Sequence, residues 1–495
     1  MKLKKLLSLA LVFVISLSAT GCNSTVTLED LAVPTYQDVE EMILRVDLPP
    51  NMSSREQMEL YKECGFNTIP MTEDFFTAEE VAPYMDELAT YKTALENWDG
   101  NEETKPIEPE KPLYIQALEL CEELDIDVFI RPHHTGFNKA DQGNPNVAGD
   151  YNAVIGKPNY FEKYFYNLDF HDYPAVKGFM VVDEPTWGQV TDLINRYLPW
   201  FNENYGDGNY ELFCNLLASG NTAWKDKFSQ TKVYDEFITL YHDEFLSKAN
   251  SKNKTISYDS YGLANDGVNN YVSDTYFSNC VNMRGYADRF NMGFGGYIQC
   301  FTGYSNLRDP ISFADFAFQV YTYLAFGANR LSYYGYRDYP PESHLMDGGT
   351  PRQKWYWVQE INTIIKKLDG LLANFDYEGF VTSVGTGSFF EVNESFEAVK
   401  TKALESLNGV DSFVSKYDAF MTQFKDADGR KAYMLVNYEE PSLTHTNKVS
   451  VEFDDADGLM YYRDGEPKIE VLENKTFNID LKPGEGVFMI PLYKK

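Results

Sequence analysis

Residues 176–185 read Val-Lys-Gly-Phe-Met-Val-Val-Asp-Glu-Pro. An apolar, β-branched run of this length reads as a strand, and Pro185 stops its ladder. Two carboxylates, Asp183 and Glu184, are left at its C-terminal end. Runs of the same kind are expected upstream at 42–47, 67–71 and 127–132. Downstream they are expected at 210–216, 255–260, 295–301 and 330–334. Helical patterns at 56–63, 113–124, 191–205, 233–245, 271–290 and 313–326 separate most of these runs, and another at 353–372 follows the last. No helix is placed between the third and fourth strands. Eight strands alternating with helices predict an α/β fold, a (β/α)₈ TIM barrel. An open doubly wound sheet would rarely run to eight units, and no Gly-rich phosphate loop follows the first strand. Asp99–Pro112 (DGNEETKPIEPEKP) reads as a surface insertion.

Past residue 375 the periodicity changes to 2. Alternating or β-rich runs at 431–438, 447–453, 468–472 and 486–491 are divided by turns at Asp428-Gly429, Asp464-Gly465 and Pro483-Gly484. They predict a small C-terminal antiparallel β-sandwich. The expected division is a barrel over 37–375 and a sandwich over 376–495.

The N-terminus reads as an export signal. Lys2, Lys4 and Lys5 precede an apolar run from Leu6 to Leu17, and Ser-Ala-Thr-Gly-Cys closes it at 18–22. The apolar run is short for a membrane span, and the order basic, apolar, small is that of a secretory signal. Gly21-Cys22 resembles a bacterial lipobox. That resemblance implies a lipoprotein signal peptide over 1–21, lipidation of Cys22, a tether over 22–36, and attachment to the extracytoplasmic face of the cell membrane. The other cysteines, Cys64, Cys121, Cys214, Cys280 and Cys300, are odd in number and lack metal-ligand spacing, so buried free thiols are expected.

The chain carries 43 basic and 75 acidic residues, a net charge of −32. Such a surface repels nucleic acid and anionic headgroups and suits a neutral ligand. In a (β/α)₈ barrel the functional groups stand at the C-terminal strand ends. That rule collects Arg131, His133 and His134 after the third strand, with Asp183, Glu184 and Trp187 after the fourth. The fifth to eighth strands add Asn215; Tyr258, Asp259 and Tyr261; Gln299 and Tyr304; and Tyr336. Carboxylates, amides and aromatic faces together suit sugars, whose hydroxyls hydrogen-bond while their C–H faces pack on rings. The adjacent pair His133-His134 does not make a metal site with Asp183, and neither metal nor cofactor is expected.

The motif GFMVVDEP (178–185) resembles the acid/base strand of clan A glycoside hydrolases, the β-galactosidase-like TIM barrels. NLLA (215–218), SYDSYG (257–262), the stretch from Phe316 to Tyr336 and the ending LKPGEGVFMIPL resemble uncharacterised barrels of that kind. The resemblance implies that Glu184 is the general acid/base. Two departures stand out. The clan's Asn-Glu is here Asp183-Glu184, so mutual repulsion should raise one carboxyl's pKa. The clan's nucleophile, a glutamate ending the seventh strand, is missing: that strand reads Gly-Tyr-Ile-Gln-Cys-Phe over 296–301. Asp259 is then the candidate second catalytic carboxylate, with Glu73 and Asp74 as weaker choices. The bland alternatives are that Asp259 only binds hydroxyls and that Glu184 pairs with Arg131. The reading is a cell-surface glycoside hydrolase with Glu184 as proton donor. Its rivals are a non-catalytic carbohydrate-binding lipoprotein with the same cup, and a barrel acting on another polar substrate.

Overall fold

The computed structural model describes residues 26–36, 42–72, 78–131, 169–226, 228–302, 306–337, 344–383 and 389–495. The expected signal peptide and Cys22 lie outside them, as do the segment between the third and fourth strands, Glu73, Asp74, His133, His134 and Tyr304.

Eight strands form one sheet: β1 (Ile43–Asp47), β2 (Thr68–Thr72), β3 (Asp127–Arg131), β4 (Val176–Asp183), β5 (Glu211–Leu217), β6 (Thr255–Asp259), β7 (Gly293–Gln299) and β8 (Arg330–Tyr334). Their order is β1-β8-β7-β6-β5-β4-β3-β2, and every pair is parallel. The remaining seam, between β1 and β2, is bridged by Asn67. Its backbone N–H donates to the Leu44 carbonyl (3.1 Å), its side-chain oxygen accepts from the Leu44 N–H (2.9 Å), and its amide nitrogen donates to the Met42 carbonyl (2.7 Å). A side chain thus replaces the missing ladder, and the sheet closes into the expected (β/α)₈ barrel.

Helices Arg55–Glu63, Leu113–Glu123, Tyr276–Phe290, Phe313–Ala325 and Gln353–Leu372 belong to the layer outside the sheet. The helix expected from residue 271 begins at Tyr276. A two-stranded hairpin, Leu263–Asn265 with Asn270–Val272, takes up the residues before it. The reason is turn chemistry: Asn, Asp and Gly crowd its tip, and Gly267 holds φ +93. The free cysteines at 64, 121, 214, 280 and 300 are all buried.

The C-terminal region begins with β9 (Phe375–Ser383) and continues through β10 (Val410–Ser415), β11 (Ala419–Asp426), β12 (Lys431–Asn437), β13 (Asn447–Phe453), β14 (Gly458–Arg463), β15 (Glu466–Val471), β16 (Thr476–Leu481) and β17 (Gly486–Leu492). They form a six-stranded sheet, β9-β11-β12-β17-β14-β15, facing a three-stranded sheet, β10-β13-β16. Met421, Leu435, Val487 and Met489 of the larger sheet face Val451, Phe477 and Leu481 of the smaller. Their strand neighbours Phe420, Met434, Val436 and Phe488 point the other way and join the barrel's core. Two buried faces explain why Ala432–Val436 is continuously apolar. Helix Phe313–Ala325 lies at this junction and is buried from Asp315 to Ala325, so its sequence shows no polar face. Barrel and sandwich therefore share one core.

Candidate active site

The inside of the barrel is polar along much of its length. Phe129, Met180 and Phe213 form an apolar layer near the middle. Towards the strands' C-terminal ends, Arg45 donates to Ser332 Oγ and to the Tyr297 hydroxyl (2.7 Å each), and Tyr297 donates to Asp47 (2.8 Å). Arg131 lies between Asp47 (3.4 Å) and Asp183 (2.8 Å). The Asn215 amide nitrogen donates to both Asp183 and Asp259 (2.9 Å each), while Ser257 donates to the Asn215 oxygen (3.0 Å). The Asp259 carboxyl in turn hydrogen-bonds Glu184. One connected network thus reaches from β1 and β8 to the rim of β4 and β6.

Two local features bring consecutive carboxyls to one place. Strand alternation would point Asp183 and Glu184 to opposite sides. Along β4, Met180 pairs with Phe213 but Asp183 pairs with Asn215, so three steps on β4 match two on β5. This bulge brings Asp183 into register with the inward-facing Asn215. Glu184 then takes a left-handed backbone, φ +50, with its N–H donated to the Asn215 carbonyl (2.8 Å). For a non-glycine residue that conformation costs about 1–3 kcal/mol and persists only where the surrounding structure holds it. Pro185 ends the strand directly afterwards.

The arrangement divides the charges. Burial works against the Arg131 guanidinium, but Asp183 and Asp47 outweigh it and keep it firmly protonated. Arg131 pairs with Asp183, not with Glu184, which leaves Glu184 open to solvent at the rim. Glu184 is reachable yet flanked by protein, and this desolvation, followed by the charge of Asp183, raises its pKa. Asp259 is pushed well above the usual carboxylate range, first by burial and then by the charge of Glu184. Glu184 and Asp259 therefore titrate as a pair. A side-chain hydrogen bond links the two carboxyls, and after burial the charge of Glu184 raises the pKa of Asp259.

An aromatic wall completes the mouth on the side of β6 to β8. Phe301 contacts the ring of Tyr261 (5.0 Å) and that of Tyr334 (4.9 Å), and Tyr334 in turn meets His344 (5.9 Å). Burial, then Asp259 and Glu184, drives the Tyr261 hydroxyl well above its usual pKa, which places this ring beside both carboxyls.

Three expected site residues point elsewhere. Tyr258 is fully buried outside the barrel wall, with its hydroxyl donated to Cys280 Sγ (3.3 Å); its neighbours Ser257 and Asp259 occupy the inward positions. Tyr336 lies past the strand end, packed on Tyr61 and Phe66 with Trp355 donating to its hydroxyl. Gln299 is used up by backbone. Its oxygen accepts from the Leu263 N–H (3.1 Å), and its nitrogen donates to the carbonyls of Leu263 (3.2 Å) and Arg308 (2.7 Å). It ties the loops after β6 and β7 together. Trp187 is half-buried, with the Lys232 ammonium 5.4 Å from its ring centre. Asp47 and Tyr297 belong to the network although neither was singled out in the sequence; Asp47 ends β1 and satisfies the same strand-end rule.

A cavity of about 860 Å³ lies at the opposite end, beneath the strands' N-termini and against the sandwich. Asn253, Asn291, Asn329, Arg284, Asp369 and Tyr377 help line it. It contains none of the carboxyl pair, and functional groups of this fold gather at the other face.

The chain therefore has the architecture of a (β/α)₈ barrel with a carboxylate-lined mouth. No family model and no curated protein matches its sequence. Its structure is similar to that of a family 42 β-galactosidase from G. stearothermophilus, at 9% identity and a TM-score of 0.49, covering 93% of this chain and 99% of that one. It is also similar to a structure described as a glycoside hydrolase, at 12% identity and a TM-score of 0.48, covering 95% and 96% of the two chains. A family 39 glycoside hydrolase from the gut symbiont Bacteroides cellulosilyticus WH2 is similar at 13% identity and a TM-score of 0.44, covering 93% and 83%. The fold assignment rests on the strand order itself.

Proposed function

We propose that the chain is a glycoside hydrolase of oligo- or polysaccharides, with Glu184 as the proton donor. One observation carries this reading. Glu184 stands open at the barrel mouth with its pKa raised, hydrogen-bonded to Asp259, while Asp183 takes the neighbouring arginine. A general acid needs both access and a retained proton. The half-buried rings of Tyr261 and Tyr334, braced by the buried Phe301, supply stacking surface for sugar rings, and Asp183 supplies a hydroxyl partner. The lipobox-like Gly21-Cys22 and the acidic surface support display on the outer face of the cell membrane through a lipid anchor. Among the described residues no helix is long and apolar enough to cross a membrane.

The test is turnover of aryl glycosides and polysaccharides by the native chain beside Glu184→Gln and Asp259→Asn. Loss of turnover in Glu184→Gln is the expected result. A second reading, capture of glycan without cleavage, is favoured by one feature: Gln299 occupies the place of the clan's nucleophile and is bound to backbone. Binding without turnover, equal in all three proteins, would establish that reading instead.

A further inference from the structure

We propose that the turn Glu440-Pro441-Ser442 of the sandwich is a positioning element for the stacking side of the mouth, acting through Arg308 and Asn270. This inference rests on the carbohydrate reading above and gives the sandwich a part in that site.

The turn is stiff. It joins β12 to β13, the Leu443 N–H donates to the Glu440 carbonyl (3.1 Å), and Pro441 fixes φ between them. Glu440 is buried, and one of its carboxylate oxygens accepts from the Ser442 N–H (2.8 Å) and hydroxyl (2.5 Å). Two side chains of the barrel meet this turn. Arg308, in the loop after β7, donates to the other Glu440 oxygen (2.5 Å). Asn270, in the hairpin after β6, donates to the Ser442 hydroxyl (2.9 Å).

Those two loops carry the aromatic wall. The Arg308 N–H donates to the Leu263 carbonyl (3.1 Å), and the Arg308 carbonyl accepts from the Gln299 amide (2.7 Å). The Asn265 N–H donates to the Asn306 carbonyl (2.7 Å). Tyr261 stands two residues before Leu263 and Phe301 two residues after Gln299, and their ring centres are 5.0 Å apart. The sandwich turn, the hairpin and the loop after β7 thus form one braced unit that ends in the rings of the mouth.

Glu440 is not needed to balance charge. Arg308 is buried and already meets an anion of the barrel, Asp315 (2.5 Å), which also accepts the N–H groups of Ile311 (2.7 Å) and Ser312 (3.0 Å) ahead of helix Phe313–Ala325. A second buried carboxylate adds desolvation that the Arg308 charge does not require. What Glu440 adds is an ionic link from the sandwich to the loop. Asp183 and Asp259 are held by Asn215 at a different place, so loosening the turn should act on sugar binding and spare the chemistry.

The test compares Glu440→Ala and Ser442→Ala with the native chain on a 4-nitrophenyl glycoside that the native chain cleaves. KM should rise about tenfold in Glu440→Ala and about threefold in Ser442→Ala, with kcat within about twofold of native. Glu440→Gln keeps an oxygen for Arg308 and should recover most of the loss. Hydrogen exchange needs no turnover. In Glu440→Ala the amides of 263–272 and 306–311 should exchange more than about tenfold faster, while those of β4 and β12 keep their native rates. An unchanged KM, or a kcat that falls while KM holds, overturns the inference and leaves the glycosidase reading standing. Faster exchange that extends through β12 makes Glu440 a structural residue and overturns the inference as well. If the native chain binds these glycosides without cleaving them, the hydrolase reading alone fails, and the same comparison is made on Kd. If it neither cleaves nor binds them, both fall.

Discussion

Inside the barrel, an arginine–carboxylate site at the floor and another at the mouth are built on opposite principles. At the floor, Arg330 of β8 pairs with Glu211 of β5, and both are buried. The guanidinium lies 4.1 Å from the ring centre of Phe213 and 5.3 Å from that of Phe129. Burial pulls the Arg330 pKa down, and Glu211 holds it partly up. One cation meets one anion and rings seal them in. At the mouth, Arg131 serves Asp47 and Asp183, while Glu184 and Asp259 find no cation of their own among the described residues. A matched pair can be stable and inert. A surplus of carboxyls in partial burial must keep a proton, and a retained proton beside solvent is what acid catalysis uses.

Removing that proton donor should give the largest effect. Glu184→Gln is expected to lower turnover of any cleaved glycoside about 10³- to 10⁴-fold. It should lose no stability, since the side chain is open to solvent at the rim and its neutral replacement relieves the repulsion with Asp183 and Asp259. Steady-state kinetics beside urea unfolding check both halves, and a strong loss of stability would make Glu184 a structural residue like those at the floor. The floor should respond in the reverse sense. Arg330→Met strands Glu211 without its cation and should cost about 3–5 kcal/mol, whereas Arg330→Met with Glu211→Leu should be close to neutral. If the single and double variants unfold at the same urea concentration, the pair is not the matched, sealed unit described.

A smaller effect is expected at Gln299, which lies between the two extremes because it is polar, buried and uncharged. Gln299→Leu removes the partner of the Leu263 N–H and of the Arg308 carbonyl, while the Leu263 carbonyl keeps the Arg308 N–H. It should destabilise by about 1–3 kcal/mol and raise KM by loosening the loop that carries Tyr261. Gln299→Glu should not create a nucleophile, because a carboxylate there would confront the carbonyl oxygens of Leu263, Phe301 and Arg308. Its activity should be no higher than that of Gln299→Leu. A rise in turnover would show that the seventh-strand end does face the substrate.

The ease of reading the floor and the mouth from sequence differs for physical reasons. Apolar runs with a stop signal are local, so β4 and β8 lie where Val176–Asp183 and Arg330–Tyr334 were expected. The strand-end rule collected Arg131, Asp183, Asn215 and Asp259, which now form one network. It misled at Tyr258, because alternation admits only one of two neighbours, and at Tyr336, because the chain has already left the strand. The bulge in β4 and the left-handed Glu184 bear no residue signature such as glycine, since the surrounding fold enforces them. The bonds from Asp47 to Tyr297 and Arg131 join residues far apart in the chain, and a single sequence does not encode such partners in its spacing. The separation of Glu184 from Asp259 was likewise a matter of tertiary register.

The subtlest consequence of the surplus is a pH dependence of stability. Glu184 and Asp259 both titrate higher in the folded protein than free carboxyls do, through burial and through each other's charge. The folded state therefore keeps protons that the unfolded chain, with carboxyls near pKa 4, has already released. Their favourable contribution is complete below about pH 4 and is lost as pH rises through the folded pair's titration. Asp259→Asn replaces one of these acids with a group that never ionises. Relative to the native chain, the variant should gain stability as pH is raised from 4 to 8, with little or no gain at pH 4. Urea unfolding at pH 4, 6 and 8 measures the difference directly. A difference that stayed constant over that range would mean that Asp259 and Glu184 do not share a proton, and the mouth would then be as electrostatically settled as the floor.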